Sequence, residues 1–418
     1  MKPERNHTMS ALSIAPYFRF ARVKVVGQDV HMDQPKPGAL IHLEPDRRFR
    51  ALCHVCGTAG HVHSWEGRRI LRDLNVASAQ TFLEVCYRRV WCPECRTAKT
   101  EKLEFADPGK RITHRLARYI YELCKVMTVA EVARHLELNP KTVKAVDKHF
   151  LAKEFGQTNY EGLRILAVDE ISLSKGQRGY MTVVLDYLTG RVVWLGEGRN
   201  SETLDRFFAG MTSQQKQGIE AVAMDMWEAF IKSVRGHCPQ AEIVFDLFHI
   251  VKAYGEVIDA VRRQEYKKAD KDKRSFIKGS RYLLLSNREN LLADQEARLV
   301  ELLAVNERLN AVYVLKDQLK AACRYRDRGW ARRTLNQWCE LAEQVDHPTM
   351  RRFIGRLRYF EYGILNHCDY PISTGRLEGV NNKIKVIKRK AYGFHDPAYF
   401  ALKVKQAFPG VEPPTKTG

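Results

Sequence analysis

Acidic residues stand at the ends of two apolar segments of this 418-residue chain. The segment ILAVDEISLSKG begins at residue 165 and runs from four apolar residues into Asp169 and Glu170, and the segment IEAVAMDMW runs into Asp225. A buried strand that ends on a carboxylate is costly unless the charge has a partner. A third acid, Glu378, lies in STGRLEGVNNKIKVIKRKA, which has the pattern of a helix with a basic end.

Three carboxylates that converge on one point repel one another unless divalent cations neutralise them. Hard oxygen ligands suit Mg²⁺ or Mn²⁺, which also bind phosphate oxygens. Two such ions can activate an attacking oxygen and stabilise a leaving oxygen in phosphodiester chemistry, without a nucleophilic side chain. The sequence contains no convincing Ser-His-Asp, Cys-His or phosphate-loop pattern. We therefore expect Asp169, Asp225 and Glu378 to form a metal-dependent site.

Other acids and a histidine near these positions are candidates for supporting roles. Side chains alternate along a strand, so Glu170 should face away from Asp169 and support the site rather than bind metal. Asp246 and His249 follow a further predicted strand. They could orient a water, a phosphate or a metal ligand, and a capping and packing role is the alternative.

The predicted helix that carries Glu378 also presents candidates for DNA contacts. Asn381, Asn382 and Lys385 fall three, four and seven residues after Glu378, so they share its face. Arg376 either contacts DNA phosphates or keeps the helix soluble.

The order of predicted elements indicates how the acids are positioned. From residue 159 the pattern predicts three strands in a meander, then helix, strand, helix and strand, the order of the ribonuclease-H-like fold. In that fold the first and fourth strands are neighbours, which would bring Asp169 close to Asp225. Residues 250–370 are almost wholly helical in pattern. We expect a multidomain α/β protein whose ribonuclease-H-like catalytic core is interrupted by an all-helical insertion.

Two CxxC pairs precede this core. Four thiolates on paired turns supply the tetrahedral ligand set of a structural Zn²⁺ ion, and the second pair follows an alternating strand, as in a zinc ribbon. The predicted ligands are Cys53, Cys56, Cys92 and Cys95. Cys86, His54, His61 and His63 are nearby competitors for a ligand position.

A helix-turn-helix is predicted between these cysteines and the core. Thr128 and Glu131 have the spacing of a capping box, and Asn139 followed by Pro140 marks the start of a third, basic helix. A helix of this kind can enter the major groove of DNA. Its candidate DNA-binding residues are Lys141, Thr142, Lys144 and Lys148.

Charge and composition narrow the class of partner. Lysine and arginine outnumber acids 69 to 49, for a formal net charge of +20. This excess favours a polyanion such as nucleic acid. Neither a signal peptide nor a membrane-spanning apolar stretch is visible in the sequence, and CxxC pairs suit a reducing compartment. We therefore expect a cytoplasmic protein that binds nucleic acid.

Long motifs along the chain resemble the DDE transposases of the ISL-three family of bacterial insertion sequences. The segments that carry this resemblance are VDEISLSKGQRGYMTVVLDYLTGRVVWLGEGR (168–199), AVAMDMWEAFIKSVR (221–235), AEIVFDLFHIVK (241–252), KGSRYLLL (278–285) and TGRLEGVNNKIKVIKRKAYGF (374–394). The CxxC pairs and the helix-turn-helix match the layout of the same family.

The resemblance implies that Asp169, Asp225 and Glu378 are the DDE residues. It implies a transposase that binds the terminal inverted repeats of its element as double-stranded DNA, cleaves a strand and transfers the 3′-OH to target DNA. A dimer or larger assembly on DNA is expected, because two ends must be handled together. The alternatives are a catalytically idle DNA-binding regulator, which should lack an acid, and a structure-specific nuclease of the same fold.

The expected domains follow the chain in order. They are a β-rich zinc-ribbon domain (1–110), a helix-turn-helix domain (111–158), the first part of the catalytic core (159–250), the helical insertion (251–370), the last core helix with its Glu (371–408) and a disordered tail (409–418).

Overall fold

A computed structural model of the protein describes residues 13–31, 37–172, 179–372, 374–391 and 394–411. Most of the predicted disordered tail, residues 412–418, and the predicted first residue of the last helix, Ser373, therefore lie outside the described residues. The chain forms two compact units, Met1–Phe150 and Leu151–Gly418.

Alternating apolar residues build the sheet of the first unit. Its strands are β1 (Val23–His31), β2 (Gly38–Pro45), β3 (His61–Arg72), β4 (Gln80–Cys92) and β5 (Thr97–Thr100). The order is β1-β2-β4-β3, with β5 paired to β4. Every second residue from Leu83 to Tyr87 is buried and packs with Ile41 and Leu43 of β2. The long strand predicted before the second cysteine pair is thus present.

Three helices follow in the first unit: α1 (His114–Val126), α2 (Val129–Leu136) and α3 (Pro140–Phe155), the last of which crosses the boundary between the units. Thr128 and Glu131 form the predicted capping box at the start of α2. Asn139 accepts a hydrogen bond from the backbone N–H of Lys141 at 2.8 Å, which caps the start of α3. Glu137 ends α2 in a left-handed conformation (φ 53°).

A buried aspartate connects the sheet of the first unit to α1. Asp73 is fully buried just after β3. It accepts hydrogen bonds from Thr113 Oγ1 at 2.6 Å and from Arg115 Nε at 2.8 Å. A second guanidinium nitrogen of Arg115 also contacts the carboxylate. Because a buried carboxylate needs such partners, this cluster holds α1 against the sheet.

The second unit contains a five-stranded sheet in the order β10-β9-β6-β7-β8. Its strands are β6 (Ile165–Ser172), β7 (Tyr180–Asp186), β8 (Arg191–Glu197), β9 (Ala221–Met224) and β10 (Glu242–Phe245). The strands β6, β7 and β8 form an antiparallel meander, whereas β9 runs parallel to β6 and β10 parallel to β9. Asp169 lies on β6 and Asp225 directly follows β9, so the two acids stand at the ends of neighbouring strands.

Helices cover both faces of this sheet. They are α4 (Ser201–Ala209), α5 (Ser213–Gln217), α6 (Glu228–His237), α15 (Thr374–Lys390) and α16 (Pro397–Ala407). Leu166 and Val168 pack into the core with α4 and α6, whereas Ala167 and Ile171 pack into the core with α15 and α16. Alternation along β6 thus sends even and odd positions to opposite layers.

The chain between the sheet and α15 is helical. Its helices are α7 (Leu247–Lys268), α8 (Lys271–Ile277), α9 (Arg281–Leu285), α10 (Ala293–Val305), α11 (Glu307–Ala322), α12 (Arg328–Glu343), α13 (Pro348–Tyr359) and α14 (Glu361–Leu365). Trp338 and Tyr254 pack together in their core, and each donates a hydrogen bond to a carbonyl of α11. Within the described ranges, no helix combines the length and apolarity that a bilayer crossing requires.

Candidate active site

Two neighbouring parallel strands carry the first two acids to the same edge of the sheet. Ala167 of β6 is paired with Ala223 of β9. Asp169 and Asp225 each lie two residues further along, so their carboxylates emerge at the same level. At this separation the negative charge of Asp225 contributes to raising the pKa of Asp169.

Asp169 is held by two hydrogen bonds on the side of the sheet that faces α15. The backbone N–H of Glu170 donates to its Oδ1 at 2.7 Å, and the Asn381 side-chain amide donates to its Oδ2. Burial, and then the charge of Asp225, raise the pKa of Asp169 to about 6. A cation beside this carboxylate would lower that pKa and favour the charged form.

His249 connects Asp225 to the start of α7. Its Nδ1–H lies 2.7 Å from Asp225 Oδ1 and 3.2 Å from Asp246 Oδ2. Hydrogen bonds to Asp225 and then to Asp246 raise the pKa of His249 to about 10, so the ring is a cation that offsets both carboxylates. Asp246 also caps α7, because its Oδ1 accepts the backbone N–H of Phe248 at 2.7 Å.

The same three side chains have the donor set of a cation site. One ligand atom each from Asp225, Asp246 and His249 lies within 4.8 Å of the others. Two carboxylate oxygens and a neutral imidazole nitrogen would suit a divalent ion, so this cluster holds either a protonated His249 or a metal ion bound through its ring nitrogen, and not both. The predicted supporting residue His249 thus lies in direct contact with Asp225, and Asp246 is connected to Asp225 through His249.

A cavity of about 260 Å³ opens at this edge of the sheet. It is lined by Asp169, Glu170, Asp225 and His249, together with Trp227, Lys252, Glu256 and Arg356. Glu170 lies on the face opposite to Asp169, as alternation requires, and its Oε1 is 3.5 Å from Arg199 Nη1. Both acids nevertheless border the same cavity, since they stand near the end of β6.

Glu378 is exposed on α15. Across the described ranges no hydrogen bond or ion pair joins it to Asp169 or Asp225. Asn381, one helical turn later, makes the contact with Asp169 instead. Glu378 and Asn381 share one helix face, so α15 presents the predicted third acid beside the first without bringing the two into contact.

The other predicted DNA contacts on α15 divide into two groups. Arg376 donates to the backbone carbonyls of Tyr187 and Leu188, so its guanidinium fixes α15 to the turn after β7. Asn382 and Lys385 are exposed. These two side chains are accessible to a ligand, whereas Arg376 is engaged within the protein.

Arg199 belongs to the surroundings of the site, although the sequence did not single it out. Its guanidinium stacks over Tyr180 at 4.2 Å and over Trp227 at 5.5 Å, and its backbone carbonyl accepts a hydrogen bond from Trp227 Nε1. Lys252, Glu256 and Arg356 of the cavity were likewise not identified. No local pattern marks them, because they approach the acids only through the folding of distant segments.

The four predicted zinc ligands converge in the first unit. Their sulfur atoms all lie within 4.8 Å of one another, with 3.9 Å between Cys53 and Cys95 and 3.3 Å between Cys56 and Cys92. Four clustered thiols match a structural Zn²⁺ site. The competitor Cys86 instead donates to the backbone carbonyl of Glu66.

The two cysteine turns share two backbone features. A backbone N–H points at the first sulfur of each pair, from Val55 to Cys53 and from Cys95 to Cys92, both at 3.4 Å. The residues after each pair, Gly57 and Arg96, have positive φ values of 76° and 49°. The turns are thus shaped to aim both thiols of a pair at one point.

On α3 the predicted DNA-binding side chains differ in accessibility. Lys141 is exposed, whereas Thr142, Lys144 and Lys148 are half-buried. Val143 on the opposite face is fully buried in the core with α1 and α2. The helix therefore packs through one face, and Lys141 is the most exposed of the four predicted DNA-binding side chains.

Comparisons with known proteins agree with these features. A family model described as "Transposase", of the DDE type and the ISL3 (ISL-three) group, matches residues 166–404. A second model, described as "Helix-turn-helix domain of transposase family ISL3", matches residues 101–151. The chain is thus an α/β protein with a DNA-binding helix-turn-helix and a DDE transposase domain.

Individual relatives agree as well. The transposase for insertion sequence element IS1001 of Bordetella parapertussis is 43% identical over 88% of this chain and 91% of its own length. The transposase for insertion sequence element IS1557 of Mycobacterium tuberculosis is 26% identical over 83% of this chain and 84% of its own length. The two family models and the similarity along most of the chain agree with the acids at the ends of neighbouring strands and with the helix-turn-helix. The chain belongs to the ISL3 family of DDE transposases, which are enzymes that cleave and transfer DNA strands.

Proposed function

We propose that this transposase binds the terminal inverted repeats of its own insertion sequence, cleaves one strand at each end, and joins the freed 3′-OH to target DNA. The observation that carries this proposal is that Asp169 and Asp225 each lie two residues beyond the paired Ala167 and Ala223 of adjacent parallel strands. The sheet order supports a ribonuclease-H-like core. The helices between β10 and α15 would then be the all-helical insertion, at about residues 251–370.

Asp169, Asp225 and Glu378 are the proposed ligands of Mg²⁺, with Mn²⁺ as a substitute. Their oxygen donors, and the close negative charges of the two aspartates, fit a divalent cation. When bound, such ions supply activation of the attacking oxygen and stabilisation of the leaving oxygen. Glu378 would approach the aspartates from α15, on the face that Asn381 already presents to Asp169.

The residues around the acids set their orientation. Asn381 fixes the Asp169 carboxylate through its amide donor, and His249 fixes the Asp225 carboxylate through Nδ1. Asp246 holds His249 and the start of α7 together. These contacts keep the oxygen atoms in place while a phosphodiester is bound, which reduces the reorganisation needed in the transition state.

The first unit supplies recognition of the element ends in this proposal. Zn²⁺ bound by Cys53, Cys56, Cys92 and Cys95 would hold the two cysteine turns together. Base-edge contacts from α3 would provide specificity, and the surrounding lysines would position the phosphate backbone. Since two ends must be cut and joined together, we propose a homodimer or larger assembly on DNA.

The test is incubation of the purified protein with Mg²⁺, labelled element ends and a supercoiled target plasmid. Wild-type protein should yield cleaved ends and end–plasmid joined products. Cleavage without joined products would refute strand transfer. Asp225→Asn and Glu378→Gln should abolish both products while duplex binding by gel shift is retained. Full activity of either variant would refute the assignment of that acid.

A further inference from the structure

The helices of the second unit enclose a basic groove beside the candidate active site. The groove has a volume of about 810 Å³ and lies between α7, α9 and α11. Its cationic lining residues are Lys252, Arg263, Arg281, Lys316, Lys320 and Arg324, and its acidic lining residues are Glu256 and Asp259. The lining therefore carries a clear excess of positive charge.

Internal ion pairs do not neutralise this groove. Asp259 is shared among three arginines: Arg262 at 2.8 Å, Arg263 at 3.4 Å and Arg281 at 3.7 Å. One carboxylate among three guanidinium groups leaves a net positive cluster. The side chains of Lys252 and Arg324 are exposed and have no hydrogen bond or ion pair with any residue that the structure describes. These cations are available to an anionic ligand.

A lysine inside the groove adds a fixed charge. Lys316 is buried, and its ammonium donates to the backbone carbonyls of Leu284 at 2.9 Å and Ser286 at 2.8 Å. Its neighbour Lys320 contacts the side chain of Asn287. Burial lowers the pKa of Lys316 to about 8, so it remains mostly protonated at neutral pH. The wall formed by α11 thus contributes positive charge to the groove at neutral pH.

The groove and the active-site cavity share residues of α7. Lys252 and Glu256 line both of them. On the same helix His249 contacts Asp225, three residues before Lys252. One face of α7 therefore leads from the predicted catalytic acids into the basic groove.

An exposed aromatic ring stands where the two spaces meet. Phe248 lines the groove, is 52% exposed and packs edge-on against the ring of His249 with 5.5 Å between centroids. Cations along a groove combined with an accessible aromatic ring are typical of sites that bind single-stranded nucleic acid, where phosphates meet the cations and bases stack on the ring. A paired duplex keeps its bases stacked on one another and offers no free base to such a ring.

We propose that this groove binds a single DNA strand beside the active site, with its phosphates on Arg263, Arg281 and Arg324 and a base stacked on Phe248. The inference rests on the proposed function, since it assigns a route to a strand that has been separated from its complement at the element end. The groove would guide this strand away from the acids and keep it from re-pairing.

The test measures binding of full-length protein to a fluorescein-labelled oligo(dT) by anisotropy, beside binding to a duplex terminal repeat. The Arg281→Glu/Arg324→Glu variant should weaken oligo(dT) binding by about tenfold and reduce its salt dependence, because phosphate contacts are lost. Its matched control, Lys271→Glu/Arg326→Glu, carries the same charge change on exposed residues outside the groove and should change binding by less than about twofold. Duplex binding should be similar in both variants.

The aromatic contact has its own pair of variants. Phe248→Ala should weaken oligo(dT) binding by roughly fivefold or more, because stacking on one base is lost. Trp330→Ala removes an exposed ring on α12, outside the groove, and should leave oligo(dT) binding unchanged. If the double variant loses its thermal unfolding transition, Arg324→Glu alone replaces it, since that side chain is exposed.

Equal losses in the groove variant and its control would overturn the proposal, as would wild-type protein that does not bind oligo(dT). Cleavage of duplex ends is measured in parallel. Wild-type protein that cleaves nothing refutes the proposed function, whereas the oligo(dT) comparison separately decides whether the groove binds a single strand.

Discussion

His249 joins the end of β9 to the start of α7, because its Nδ1–H lies 2.7 Å from Asp225 and 3.2 Å from Asp246. The backbone N–H of Asp246 also donates to the carbonyl of Met224, the residue before Asp225, at 3.1 Å. The position of a predicted catalytic carboxylate is thus tied to the first turn of the helix that borders both the active-site cavity and the basic groove.

Removal of this imidazole should impair catalysis without unfolding the protein. We expect His249→Ala to reduce strand cleavage by about 10- to 100-fold, the range typical for residues that orient metal ligands. His249→Asn places an amide N–H near the position of Nδ1 and should retain much more activity. The measurement is the cleavage rate over a Mg²⁺ titration. Equal rates for the two variants would show that the donor to Asp225 is unimportant.

Asn381 and Asn382 offer a matched comparison on α15. Asn381 donates to Asp169, whereas Asn382 is exposed beside it. Asn381→Ala should weaken Mn²⁺ binding and cleavage by roughly tenfold or more, because Asp169 loses an orienting donor. Asn382→Ala should leave Mn²⁺ affinity unchanged by calorimetry. A larger effect at Asn382 than at Asn381 would contradict the proposed role of this contact.

The cysteine cluster predicts a zinc-dependent first unit. Cys92→Ser should abolish stoichiometric zinc, measured by elemental analysis, and remove the thermal transition of the first unit, because metal binding contributes directly to folding. Cys86→Ser, on the same strand but outside the cluster, should keep both. Folded, zinc-free wild-type protein would exclude a structural role for the metal.

The buried Asp73 predicts a large loss of stability when its cationic partner is removed. Arg115→Ala should destabilise the first unit by about 3 kcal/mol, because a buried carboxylate loses its charge partner. Arg118→Ala, on the same helix, breaks an exposed pair with Glu122 and ring contacts with Tyr121 and Phe150 but leaves no buried charge unpaired, and it should cost about 1 kcal/mol. Hydrogen exchange of the α1 amides reports both changes. Similar protection in the two variants would argue against the Asp73 cluster as the support of α1.

Lys141 should contribute to DNA affinity through phosphate charge. Lys141→Ala should weaken duplex binding and reduce the slope of log affinity against log salt by about 1, as expected for one lost phosphate contact. Lys153→Ala, near the end of α3, serves as the control and should leave the slope unchanged. Anisotropy titrations across salt concentrations would measure both slopes, and an unchanged slope for Lys141→Ala would exclude that contact.

Local patterns predicted several elements of this protein. An apolar run predicted the strand that carries Asp169, and the capping residues Thr128 and Glu131 marked a helix start, because both signals depend on residues close in sequence. The CxxC spacing likewise predicted a thiol cluster, since a short turn can place both sulfurs of a pair on one side.

Only the tertiary structure decided which side chains meet at the acids. Helical periodicity placed Glu378 and Asn381 on one face, but the position of α15 along β6 determines that Asn381 contacts Asp169. The strand and helix patterns in the sequence also did not predict the contact of Arg199, whose guanidinium stacks on Trp227 at the active-site edge of the sheet. Such contacts join residues far apart in sequence, and their geometry is set by the packing of whole elements rather than by any local preference.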